Sequence, residues 1–174
     1  DLVHVLLTTP DARLVCEEHG ADLLRWSSYF GDATACRLLL AHGQPLTALG
    51  GDCGLNAAAF HGHWQLCQFL IEHDAPANHV DPETGETPLH SALTSCDRPR
   101  YDLVVRVLLA AGADPNATTK PGVSTGSFMR DGRTKGETPL HRAALFGAPS
   151  TLEQLLQAGA RPDRLDAHGE SPLA

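Results

Sequence analysis

The sequence predicts an all-α solenoid: one domain of stacked helix–turn–helix units joined by β-turn or hairpin loops, with one extended loop. Three observations carry this expectation. The run Gly85-Glu-Thr-Pro-Leu-His90 recurs unchanged as Gly136-Glu-Thr-Pro-Leu-His141, and a third copy opens at Gly169-Glu-Ser-Pro-Leu-Ala174. Four segments end alike: Leu38 to Gly43, Phe69 to Asp74, Leu108 to Asp114 and Leu155 to Ala160. Finally, the glycines that open the frame fall at 20, 51, 85, 136 and 169, so the gaps are 31, 34, 51 and 33 residues. A period of this size marks a unit too small to bury its own apolar face, which stacking then supplies with a core.

The elements follow in order along residues 1–174. A half unit occupies 1–19 and contributes a helix over Leu2 to Leu7. Full units span 20–50, 51–84, 85–135 and 136–168, and 169–174 is a stub. In the two regular units Thr87 and Thr138 are helix N-caps. Pro88 and Pro139 take the first helical position, where a missing N–H costs nothing. Leu89 and Leu140 point into the stack. The small pairs Ser27-Ser28, Ala58-Ala59 and Ala143-Ala144 let neighbouring helices approach. Gly43, Gly112 and Gly159 suit left-handed helix C-caps. Cys36, Cys67, Trp26 and Trp64 are expected in the core, and Cys53 stands where the capping threonine would be.

The Thr-Pro-Leu-His copies, with Arg142-Ala-Ala continuing the second, resemble the ankyrin-repeat signature, and the resemblance covers nearly the whole chain. It implies that His90 and His141 tie units together through hydrogen bonds. Arg25 and Asn56 replace that histidine in the first two units, which also lack the proline, so the N-terminal half is expected to be less regular and less stable. The resemblance further implies a concave face whose contact positions flank the frame glycines. Carried onto this chain these include Glu18, His19, Tyr29, Phe30, Leu49, Asp52, Phe60, His61, Glu83, Glu86, Lys135, Glu137, Leu145 and Phe146. Only nine aromatics (Phe, Trp, Tyr) exist in the chain, and Tyr29, Phe30, Phe60 and Phe146 fall on this stripe. Aromatic side chains are enriched in protein interfaces and their hot spots. The acidic members of the stripe suggest a basic or mixed partner.

The one irregular gap carries about 18 residues beyond the usual 33. Four fall near Ser95 to Tyr101. The rest form an insertion over about 117–135, which is basic within an acidic protein and holds Phe128, Met129, Arg130, Arg133 and Lys135. Long loops in compact folds are often functional. Two readings stand: a finger that reaches over a partner, or a structural hairpin that pairs with its neighbours or covers the acidic stripe. Asp131-Gly132 is a turn signal that favours an ordered hairpin.

Composition bounds the function classes. A net charge of −8 disfavours nucleic acid and anionic membranes as partners. Five cysteines without a C-x-x-C pair fit a reducing, cytoplasmic compartment, although the start at Asp1 leaves export open. Eleven arginines against two lysines suggest a GC-rich, bacterial source. His61-Gly-His63 with Cys67 is the one local cluster with metal-ligand character, but Gly-His also suits a helix start. Asn116-Ala-Thr118 forms a glycosylation sequon inside a repeat turn, a position that in the family can resemble substrates of asparagine hydroxylases. No P-loop, nucleophile elbow or zinc-protease motif is present. The expectation is a monomeric, non-catalytic module that binds another protein, with no metal or cofactor; an inhibitor or immunity-type protein is one concrete form. The alternatives are a regulatory or targeting region of a larger enzyme or secreted effector and, third, a metal-dependent enzyme built on His61 and His63.

Overall fold

The computed structural model describes residues 12–94, 99–125 and 132–173. They hold eight α-helices: α1 (Ala12–Tyr29), α2 (Ala33–Ala41), α3 (Leu55–Phe60), α4 (Trp64–Glu72), α5 (Pro88–Ala92), α6 (Pro99–Ala110), α7 (Pro139–Phe146) and α8 (Pro149–Gln157), with a 3-10 turn at Leu46–Leu49. The helix expected over Leu2 to Leu7 lies outside the described residues.

The helices form two layers. α1, α3, α5 and α7 pack in sequence as an inner row, α2, α4, α6 and α8 as an outer row, and each inner helix also packs on its own outer partner. Leu24, Leu55, Leu89 and Leu140 occupy the same place in successive units and are all buried, as are Cys36 and Cys67. Burial pushes both thiols up to about 12, as expected of inert core cysteines.

The regular units owe their geometry to the repeated hexapeptide. Thr87 and His90 form a reciprocal capping box, with the Thr87 N–H donating to His90 Nδ1 at 3.2 Å. His90 Nε2 then donates to the Glu137 carbonyl of the next unit at 3.2 Å. Thr138 and His141 repeat the box, and His141 Nε2 reaches the Glu170 carbonyl at 3.1 Å. Because a carbonyl can only accept, Nε2 carries the proton in both rings. Asn116 makes a second kind of tie, donating to the Gly159 carbonyl and accepting from the Arg161 N–H, both at 2.9 Å. Asn78 does the same with Gly112 and Asp114. The Asn116 side-chain amide is thereby used in the stack, which is the structural reason for the apparent sequon.

The first two units use other devices. Gly20 lies inside α1, so the first frame opens without a turn and one 18-residue helix runs through it. In the second unit Cys53 does not cap: it takes a positive φ of 52°. Asp52 caps instead, accepting from the Gly54 and Asn56 N–H groups at 3.1 and 2.9 Å. Asn56 supplies no tie, since its Oδ1 is buried without a hydrogen-bond partner. In the third unit α6 has 12 residues where α2, α4 and α8 have 9, so part of the inserted length becomes an extra helical turn.

Candidate functional site

The insertion between the third and fourth units is a hairpin at its base. Ser124 and Arg133 form an antiparallel bridge. The Gly122 N–H donates to the Thr134 carbonyl at 2.6 Å, the Thr134 N–H to the Val123 carbonyl at 2.9 Å and the Thr125 N–H to the Gly132 carbonyl at 3.2 Å. This register pairs Arg133 with Ser124; Asp131, of the turn signal Asp131-Gly132, lies outside the described residues. Phe128, Met129 and Arg130 lie outside the described residues.

Alternation along the hairpin turns Thr119, Thr125 and Thr134 inward, and all three are buried. Beneath them sits Arg142, the largest of the fully buried side chains among the described residues, at 1% exposed. Arg142 Nη2 pairs with Glu86 Oε1 at 2.6 Å and with Glu137 Oε1 at 2.7 Å. Its Nε donates to Glu137 at 3.0 Å and its Nη1 to the His90 carbonyl at 3.1 Å. The Thr125 hydroxyl donates to Glu86 at 2.8 Å and the Thr119 hydroxyl to Glu137 at 2.6 Å. Glu86 and Glu137, expected on an exposed acidic stripe, are therefore interior groups; the hairpin lies over them and the guanidinium between them meets their charge. Burial alone would raise the Glu137 pKa, but Arg142 and the donated hydrogen bonds outweigh it and hold the carboxyl at about 2. The structure thus favours the covering hairpin for residues 119–125 and 132–135.

Gly85 makes this docking possible. Its φ is +75°, and a Cβ there would stand 2.8 Å from the backbone nitrogen of Lys120, whose N–H donates to the Thr84 carbonyl at 2.7 Å. Only glycine combines that φ with such close backbone approach.

The other half of the inner row is open. Trp26, expected in the core, is 63% exposed, and Tyr29 and Phe30 are 51% and 70% exposed. Their rings form one cluster: Trp26 stacks on Phe30 at 6.0 Å, and Tyr29 meets Phe30 edge-on at 5.2 Å. The cluster continues into the second unit, where Tyr29 meets His61 at 4.9 Å and His61 meets Phe60 at 5.1 Å. His61 and His63 stack at 5.8 Å, and His63 Nε2 bonds to the Tyr29 carbonyl at 3.1 Å. Trp26 lies between Leu24 and Ser27, which take the buried positions of the helix, and beside the exposed Arg25; nothing in the described residues covers it.

The remaining expected contact residues divide. Glu18, His19, Glu83, Lys135, Leu145 and Phe146 are exposed. Phe60 and His61 are half-buried. Leu49 packs against the core, and Asp52 spends its carboxylate on the α3 cap. Trp64 is half-buried against the core. Cys67 is buried away from solvent, and among the described residues no three His, Cys, Asp or Glu side chains gather as a metal-binding group. No described helix is long and apolar enough to cross a membrane.

Comparison with known proteins bears on the same features. Two family profiles match: ankyrin repeats in three copies over residues 24–119, and an ankyrin repeat over residues 135–167. The human ankyrin repeat and SOCS box protein 16 is 30% identical over 99% of the chain and 36% of its own length. Protein arginine N-methyltransferase 2 of Emericella nidulans is 33% identical over 74% of the chain and 27% of its length. Human rabankyrin-5 is 34% identical over 51% of the chain and 7% of its length. These relatives are eukaryotic, and the chain spans between 7% and 36% of their lengths.

Proposed function

The chain belongs to the ankyrin-repeat family, and on that premise we propose that it is a non-catalytic module that binds a partner protein through its inner row of helices. The observation that carries this reading is the ladder of Trp26, Tyr29, Phe30, Phe60 and His61. Three of its rings are more than half exposed, side by side, on a rigid two-layer scaffold. Exposed aromatic clusters of this kind mark interaction sites, because large rigid rings bury much area at low entropic cost. Phe60 sits further in, and the Tyr101 hydroxyl donates to its carbonyl at 2.9 Å, which anchors the ladder to the outer row.

The role of the chain within a larger polypeptide is the second reading. It is favoured by the short share that the chain spans of the three relatives described above, 7% to 36%. A docking region of a multidomain protein and an inhibitor that caps an enzyme both use the same surface, so one experiment serves both. The intact chain and a Tyr29→Ala/Phe30→Ala variant are immobilised and challenged with native extract, with folding checked by circular dichroism. Partners that the intact chain retains and the variant loses support the ladder. Equal recovery by both ends the reading. A companion variant with 126–131 shortened, and Thr119 and Thr125 kept, asks whether the hairpin tip contributes without opening the buried cluster.

A further inference from the structure

The fourth unit departs from the three before it at matched positions of its helices. The outer helices share one register, because the N–H groups of Gln44, Ala75, Ala113 and Ala160 donate to the carbonyls of Leu39, Leu70, Leu108 and Leu155 at 2.9–3.1 Å. One residue on, Leu40, Ile71 and Leu109 pack against the core, whereas Leu156 is 45% exposed. Three residues back from the same leucines, Cys36, Cys67 and Val105 are fully buried, and Leu152 is only partly so. On the inner row, one helical turn past the core leucine, Ser28, Ala59 and Leu93 are buried and Ala144 is exposed.

In the earlier units the following helix pair supplies the cover: α5 packs on α3 in the inner row, and α6 on α4 in the outer. Among the described residues no helix lies beyond α7 and α8. The seat for one is nevertheless laid out. The Ala167 N–H donates to the Lys135 carbonyl at 2.8 Å, just as the Lys120 N–H donates to the Thr84 carbonyl at 2.7 Å. Pro172 is buried like Pro88 and Pro139, and the bond from His141 to the Glu170 carbonyl repeats that from His90 to the Glu137 carbonyl. Leu173, in the place of Leu24, Leu55, Leu89 and Leu140, is instead 69% exposed. Ala144, Leu145, Ser171 and Pro172 border an open cavity of about 460 Å³ there. A unit that closes a repeat array has a polar outer face; Ala144, Leu152 and Leu156 make this one apolar.

We propose that this face is a docking surface in its own right, and that it takes a helix–turn–helix unit of the same kind stacked in the register of the repeat. Pro172 and Leu173 start the inner helix of that unit, which fills the cavity against Ala144. Its outer helix covers Leu152 and Leu156. Both contacts continue the interfaces already formed between α3 and α5 and between α4 and α6. A second copy of the chain pressed tail to tail is the poorer occupant. Each copy carries a net charge of −8, which sets like charge against like. The surface is separate from the aromatic ladder and does not depend on what the ladder binds.

The test joins a copy of residues 142–168 after Ala174, which stands where His141 stands in the fourth unit. That sequence already folds on the third unit, so a failure to fold in the new place is a failure to seat. Urea unfolding is expected to remain one transition with a raised midpoint, and amide exchange at residues 149–157 to slow by at least about tenfold. Ala144→Glu and Leu156→Asp alter exposed side chains. Each should leave the midpoint of the unextended chain nearly unchanged and cancel most of the gain in the extended one. A separate transition for the added unit, unchanged exchange in α8, or a gain that survives both substitutions overturns the proposal. So does sedimentation equilibrium in which the unextended chain is a dimer that Leu156→Asp dissociates, because the face then belongs to a second copy. None of these results touches the partner-capture experiment on the ladder, so the two readings fail separately.

Discussion

Trp26 and Arg142 hold the same place in their units, each six residues past the frame glycine at 20 or 136, yet their fates are opposite. The apolar ring is 63% exposed and the charged guanidinium 1% exposed. The difference lies above them. Over Arg142 a hairpin brings two threonine hydroxyls and, with its neighbours, two carboxylates, so every polar group finds a partner. Over Trp26 no described element lies, and its neighbours are other rings. In this chain the C-terminal half spends Glu86 and Glu137 on internal cohesion, and the N-terminal half leaves the rings of Trp26, Tyr29 and Phe30 exposed.

The sharpest way to break that comparison is Arg142→Ala. It leaves Glu86 and Glu137 buried without a counter-charge, and urea unfolding is expected to show a loss of about 3–5 kcal/mol. An unchanged midpoint would mean that the cluster is not what holds the C-terminal half together.

Acid should act on the same region next. Burial, followed by the Arg142 charge, lowers the His90 pKa from 6.5 to about 3. The unfolded chain therefore binds the proton first, and the stability due to neutral His90 is full above pH 6.5 and lost as pH falls toward 3. Glu137, held at about 2, adds its own loss only below 4.5. Between pH 6.5 and 4.5 the His90→Asn variant should thus show a shallower pH dependence than the parent, by up to about 1.4 kcal/mol per pH unit. Parallel curves in that window would contradict a buried neutral His90.

Thr125→Val removes the hydroxyl that joins the hairpin to Glu86 while keeping the side-chain shape. A cost of about 1–2 kcal/mol is expected, with faster hydrogen exchange at residues 119–125 and 132–135. Exchange that rises equally in α3 and α4 would show the effect to be global. The smallest change should come from Trp26→Ala, about 0.5–1 kcal/mol for lost ring contacts, read by thermal unfolding. A loss as large as that of Arg142→Ala would place Trp26 in a folded interior after all.

The legible parts of this protein were those with a local cause. Thr87, Pro88 and His90 form a capping box within four residues of one another, so one hexapeptide sufficed to read it. Leu24, Leu55, Leu89 and Leu140 follow from the frame. The substitutes in the first units were harder: Asp52 was read as a contact residue because an acidic side chain one position past the glycine gives no sign that it will cap α3. Gly20 was counted with the frame-opening glycines because spacing alone does not reveal a glycine carried inside a helix. The aromatic positions were found, but not that Trp26 would join Tyr29 and Phe30 in one exposed cluster.

By itself the sequence determined the unit frame, the caps of α5 and α7, the leucine core and the position of the insertion, because each depends on neighbours within a turn or two of helix. Only the tertiary structure decided which charged groups are interior. Glu86 and Arg142 are 56 residues apart in the chain, and Thr125 lies 39 residues from Glu86. Whether a carboxylate faces water or a guanidinium depends on which element is folded over it, and burial of charge is stable only when all the partners arrive together. The same reason leaves Trp26 exposed: an apolar side chain is buried by what covers it, and its own identity does not supply the cover.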